Sequence, residues 1–310
     1  MKLTHAEFLT IQTWIYRNAR PLDLARWKYQ FEGASPEVVI EALSAYQNED
    51  GGFGHALEPD AWNPHSSPLQ TSTAIERIEE IGGLSYDHPL VVGILRYLFS
   101  ERDFTDGRWA NVITSNDDFP HAPWWNSASD SPERREYNPT AILVGFILKY
   151  ALPDSILYKR GLKLAQELTS MHKQKALFDM HPLLNLDFLY DRLEEIGLDK
   201  EAWYEGARTK LNQDIKEVIL TDLDHWNDYA CLPTVFITAP SHPLYKPLQN
   251  ETDKDLELKI SHRNNDGIWD ISWSWSDYPE AFAVAANWWK ANLAIRNLLI
   301  LKNFDLLEGR

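Results

Sequence analysis

Cysteine is almost absent from this chain: Cys231 is alone among 310 residues. A disulfide within the chain is excluded, and the usage fits a reducing compartment. Cys231 has no basic residue beside it in sequence and reads as a small buried residue. Positive charge is scarce too. There are 30 lysines and arginines against 46 aspartates and glutamates, a net charge of −16. Nucleic acids and anionic membranes both need clustered positive charge, so neither is expected as a partner. The chain has no apolar run of membrane-spanning length, and no membrane insertion is expected. The stretch Met1-Lys2-Leu3-Thr4-His5-Ala6-Glu7 lacks the charged-then-apolar profile of a signal peptide, so the expected location is cytoplasmic. The ten histidines make no His-x-x-x-His pair, the spacing of a helical zinc site. No low-complexity linker divides the chain, and one domain over residues 1–310 is expected.

Aromatic residues are plentiful: 13 Trp, 13 Tyr and 12 Phe. That load calls for a thick core, an aromatic-lined cavity, or both. The chain is organised around Gln47-Asn48-Glu49-Asp50-Gly51-Gly52-Phe53-Gly54. Its echoes are Asp106-Gly107-Arg108-Trp109 and Asn265-Asp266-Gly267-Ile268-Trp269. In each, glycine supplies the left-handed backbone, Asn or Asp bonds its own main chain, and the ring that follows packs on a helix end.

Apolar spacing predicts helices between these turns. They are expected over about 4–18, 21–30, 36–47, 68–81, 89–100, 140–150, 154–172, 183–196, 200–220, 251–262 and from 280 onward. Many open at a proline, as at Pro36, Pro68, Pro89, Pro139 and Pro182. The helices come in pairs, a polar member, a turn-bearing loop and a more apolar member. Repeats of this length with no strand signal imply stacked helical hairpins. The last helix is the most apolar and needs cover on most sides. That favours closure into a ring: an all-α fold, an α/α toroid of about five to six helical hairpins.

The Gln47–Gly54 stretch is similar to the Gln…Gly…Trp/Phe repeat of the terpenoid cyclase and protein prenyltransferase superfamily. Asp106-Gly107-Arg108-Trp109 and Asp266-Gly267-Ile268-Trp269 resemble further copies. The resemblance implies the same α/α toroid. It carries no catalytic residue across. The cyclases' Asp-x-Asp-Asp motif is matched neither by Asp222-Leu223-Asp224-His225 nor by Asn116-Asp117-Asp118. Asp228-Tyr229-Ala230-Cys231 has the wrong spacing for the prenyltransferase zinc pair.

Chemistry is sought in three loops. The first puts His55, Glu58, Asp60 and Trp62 ahead of a helix. A carboxyl desolvated there would suit a general acid, and it would equally serve to bond loop N–H groups. The second holds Asp117, Asp118, His121, Trp124 and Trp125 in a helix-free segment of the length that active-site loops have. Adjacent Asp117 and Asp118 would allow a divalent cation; no other cofactor is expected. The alternative is a proline-stiffened loop sealing the core. The third contributes Asp228 and Tyr229. Trp273, Trp275, Tyr278 and Trp288 are expected to line the binding cavity, and Asp277 reads as a helix cap.

Three functions are compatible with this inventory. The first is an enzyme acting on an isoprenoid-like or other apolar ligand by carboxylate acid catalysis. The second is a carbohydrate-active hydrolase or lyase with a carboxylate pair. The third is a non-catalytic ligand-binding module. Each takes a small-molecule partner, and none fixes the oligomeric state.

Overall fold

A computed structural model describes residues 1–226 and 229–309, with the backbone alone at 133, 135, 224 and 225. The chain is mostly helical. In order come α1 (His5–Asn18), α2 (Pro21–Glu32), α3 (Glu37–Ser44), α4 (Pro68–Glu80), α5 (Pro89–Phe99) and α6 (Pro132–Arg135). They are followed by α7 (Thr140–Tyr150), α8 (Ile156–Gln174), α9 (Met180–Glu195), α10 (Ala207–Thr221), α11 (Gln249–Ser261) and α12 (Pro279–Asn303). Local chemistry explains their ends. Thr4 accepts from Glu7 N while the Glu7 carboxylate accepts from Thr4 N, a reciprocal cap that opens α1. Proline stands first in α2, α4, α5 and α12, where a missing N–H costs nothing. The expected helix over 200–220 begins only at Ala207, because Gly206 takes a left-handed φ of 77° after a run of turns. Among the described residues, no helix is long and apolar enough to cross a membrane.

Two compact units form. One comprises Met1–Ala42, Lys216–Ser274 and Pro279–Arg310; the other comprises Leu43–Ile215 and Trp275–Tyr278. In the first, Phe8, Ile11 and Ile15 of α1 join Trp27 of α2 and Ala291, Ala294, Ile295 and Leu298 of α12 in one apolar core. In the second, α7 is buried on every side from Thr140 to Leu148, which is why it reads as nearly charge-free. It packs against α4, α5, α8 and α9. Near the ends of α4, α7 and α9, Glu79 accepts from Lys149 at 3.0 Å and pairs with Arg192.

The three Asp-Gly turns resolve into two designs. Asn48 N–H donates to Gly52 O and Gly51 N–H to Asn48 O, each at 2.9 Å. Asn264, Gly267 and Ile268 repeat that pattern at the same distances. Asp106-Gly107 instead closes a small hairpin, β1 (Phe104–Thr105) with β2 (Arg108–Trp109), with φ of 53° and 78°. Two positive φ values in a two-residue loop match the twist of an antiparallel pair. In each copy the aromatic residue that follows, Phe53, Trp109 or Trp269, is buried. The first two also share an anchor. Phe53 N–H donates to Thr71 Oγ1 of α4 at 3.1 Å, and Trp109 N–H donates to Thr140 Oγ1 of α7 at 3.0 Å. Each turn thus fixes the entry of the apolar helix it precedes.

Candidate functional site

Two of the three loops singled out in sequence meet. Trp62 N–H donates to Pro120 O at 2.9 Å and Ala122 N–H to Asp60 O at 2.8 Å, zipping residues 60–62 to 120–122. Asn63, itself buried, donates to Ser115 Oγ at 2.8 Å and Asn116 Oδ1 at 3.0 Å. Buried amides rarely stay unmatched, and these matches explain why two irregular loops hold one geometry. A third stretch joins them. Trp275 is buried, and its indole N–H donates to Asp60 Oδ1 at 3.0 Å. Tyr278 lays its ring 5.7 Å from that of His121.

Trp275→Phe removes that indole donor and keeps an aromatic volume. A buried acceptor that loses its donor costs about 1–3 kcal/mol, so a stability loss near the lower end is expected, read by urea denaturation. An unchanged midpoint would show that Asp60 does not depend on the indole.

A cleft of about 680 Å³ opens here, lined by Asp117, His121, Asn126, Ser129, Asp277 and Tyr278 among others. His121 is only 7% exposed. Its Nδ1 lies 2.7 Å from Phe119 O, which can only accept, so Nδ1 carries the hydrogen. Its Nε2 is then the acceptor and receives Asn126 Nδ2–H at 3.3 Å. Asn126 is oriented in turn by Ala128 N–H, which donates to its Oδ1 at 3.0 Å. A backbone carbonyl and a backbone N–H therefore set the histidine tautomer between them. Asp117 accepts from Ser127 N at 2.8 Å and from Ser127 Oγ; those two bonds hold its carboxyl below the usual range. At neutral pH it serves as an ionised carboxylate.

The other sequence candidates lie in varied surroundings. Glu58 is half-buried on a turn that Ala61 N–H closes. His55 is exposed, with Nε2 2.9 Å from Asn48 Oδ1. Asp118 is exposed. Trp62 donates its indole hydrogen to Pro59 O at 2.9 Å. Trp124 is half-buried, and Trp125 is buried with the Arg134 guanidinium 5.6 Å from its ring. Tyr229, Trp273 and Trp288 belong to the first unit. Tyr229 and Trp273 pack edge to face at 5.7 Å, and Arg20 lies 5.6 Å from the Trp288 ring. Asp228 lies outside the described residues. Among the described residues, no group of three His, Cys, Asp or Glu side chains is arranged to hold a metal ion.

Sequence reasoning missed Asn126 and Ser129, and took Asp277 only as a cap. It also missed a buried polar cluster in the second unit. His172 and Asp214 are both fully buried, with Nε2 and Oδ2 3.2 Å apart. His172 Nδ1 lies 2.8 Å from Tyr190 Oη, and Lys210 Nζ donates to Asp214 at 2.5 Å. The signal was available. His172 continues the apolar stripe Leu157, Leu164, Ala165, Leu168, and Asp214 sits between Leu211 and Ile215.

No protein-family model, curated protein or solved structure matches this chain. The functional reading therefore rests on the geometry of the cleft.

Proposed function

We propose that this chain is a carbohydrate-active protein of the α/α-toroid kind, related in fold to the terpenoid cyclases and protein prenyltransferases. It binds a saccharide in the cleft beside His121. The toroid reading is supported by the paired helices, by the Asp-Gly-aromatic turns ahead of apolar helices, and by the side-by-side packing of α7 with α4 and α9. The saccharide reading is supported by one observation above the rest. His121 Nε2, an acceptor now met only by one Asn126 amide hydrogen at 3.3 Å, stands at the wall of an open cleft whose other functional groups are carboxylates, an amide and hydroxyls. Such a wall matches the hydroxyls of a sugar, and the exposed Tyr278 ring offers a stacking face. An isoprenoid would leave those polar groups unpaired and desolvated, which is costly.

The chemistry on offer is proton transfer. Once the Asn126 amide is displaced, His121 Nε2 can take a proton from a bound hydroxyl or water, with the Asp117 carboxylate lining the same cleft. Asp60 accepts the Trp275 indole hydrogen on its side chain and the Ala122 N–H on its main chain, tying the aromatic stretch to the loop that carries His121.

The test is incubation of the purified chain with a panel of oligosaccharides, following reducing-end release and binding heat. His121→Ala is expected to weaken binding or turnover at least tenfold while the circular dichroism spectrum is unchanged. Absence of binding to every saccharide, with an isoprenoid mass found bound in native mass spectrometry, would return the protein to the apolar-ligand reading.

A further inference from the structure

Donors and acceptors on the cleft wall can be counted group by group. The His121 Nδ1 hydrogen is used on Phe119 O, and one Asn126 amide hydrogen is used on His121 Nε2. The Ser129 hydroxyl lies 2.8 Å from Trp124 O and 2.7 Å from Asn126 O, so its hydrogen is also used inside the protein. Asp117 and Asp277 can only accept while ionised. Asp277 receives a bond from Ser276 Oγ at 3.0 Å, and its side chain is exposed. What remains as donors among these six side chains is one amide hydrogen of Asn126 and the Tyr278 hydroxyl. Arg134, behind Ser129, commits Nη1 to Trp124 O at 2.8 Å and Ser129 O at 2.9 Å. Among the described residues, those lining the cleft include two carboxylates and no lysine or arginine.

An acceptor-rich wall next to an exposed aromatic ring is the complement of a cation with several N–H donors. The whole chain points the same way, since its net charge of −16 draws cations toward it. We propose that the group recognised in the cleft is a primary ammonium, and that the saccharide carrying it is an amino sugar. This rests on the saccharide reading above and narrows it. The ammonium donates to the carboxylates of Asp117 and Asp277 and to His121 Nε2, displacing the Asn126 amide, and lies against the Tyr278 ring. An N-acetylated sugar lacks the charge and two of the three N–H donors, and a neutral sugar lacks the charge and all three.

The experiment is calorimetric titration of the full chain at about pH 7, where an amine of this kind is still mostly protonated. The probes are a glucosamine trimer, its N-acetylated counterpart, a glucose trimer and trilysine. The glucosamine trimer is expected to bind at least tenfold more tightly than the acetylated and neutral trimers. Asp277→Asn, on an exposed side chain, is expected to remove most of that preference. Asp117→Asn should do the same, with circular dichroism checking that the Ser127 loop survives. Equal binding of all three sugars would overturn the ammonium inference and leave the saccharide reading standing. Trilysine binding without any sugar would keep the ammonium and overturn the saccharide. Binding of none would overturn both.

Discussion

Gly51→Ala is expected to lower the unfolding free energy by about 4 kcal/mol, in the range reserved for substitutions with a named steric cause. Gly51 has φ of 94°, and a Cβ built there would lie 2.0 Å from Gly93 O. The obstacle is backbone, in the middle of α5, so no rotamer change relieves it. The same spot is crowded from the other side: Gln47 Nε2 donates to Gly51 O at 2.9 Å and Leu90 O at 3.2 Å. Gly82→Ala is the matched control. It has a similar φ of 90° and nothing within 4 Å of the added Cβ, so it should show the left-handed cost alone, roughly 1–2 kcal/mol. Chemical denaturation of both variants measures the difference. If the two fall equally, the contact between the turn and α5 is not the constraint the geometry makes it.

Asp214→Ala is expected to cost about 3 kcal/mol, because it strips a buried cluster of its only carboxylate among the partners described. The substitution leaves His172 Nε2 and Leu177 N–H, which donates to Asp214 Oδ2 at 3.3 Å, without that acceptor inside the unit. Lys210 is partly exposed and can turn to water, which limits the loss. The cluster also carries a pH signature. Burial pushes the His172 imidazole below its ordinary value, against the opposite pull of Asp214. The folded chain then binds fewer protons than the unfolded chain as pH falls below about 6.5. Stability from this site is complete above that pH and is lost as pH drops through the lowered value. Asp187 acts in the other direction. Burial pushes its carboxyl up to about 6, so its contribution falls as pH rises between the ordinary carboxylate range and that value. Unfolding midpoints across this window, compared between the native chain and His172→Gln, isolate the histidine. Parallel curves would show that His172 does not titrate with folding.

Much of this was legible where the cause is local. The Asn48 and Asn264 turns are set by an Asn and a Gly three residues apart, and the sequence displays both. The hairpin at Asp106-Gly107 could not be told from them, because its different design depends on the strand pairing of Phe104 with Trp109. His121 was visible as a candidate. Its tautomer was not, since Phe119 O and Asn126 become partners only through the fold of residues 113–129. The bond between Trp275 and Asp60 spans 215 positions, and no periodicity carries that information. His172 and Asp214 stood in view as polar interruptions of apolar stripes, yet nothing in either helix says that they interrupt each other.

The four residues Trp275–Tyr278 belong to a unit whose other members end at Ile215. During synthesis at about 5–20 residues per second, Asp60 and His121 leave the ribosome many seconds before Trp275 and Tyr278 exist. The nascent chain must therefore carry an unfinished cleft until residues 275–278 have been made, about 60 positions after the rest of the unit. A chain broken off before Trp275 keeps every helix of the second unit and lacks the aromatic side of the cleft.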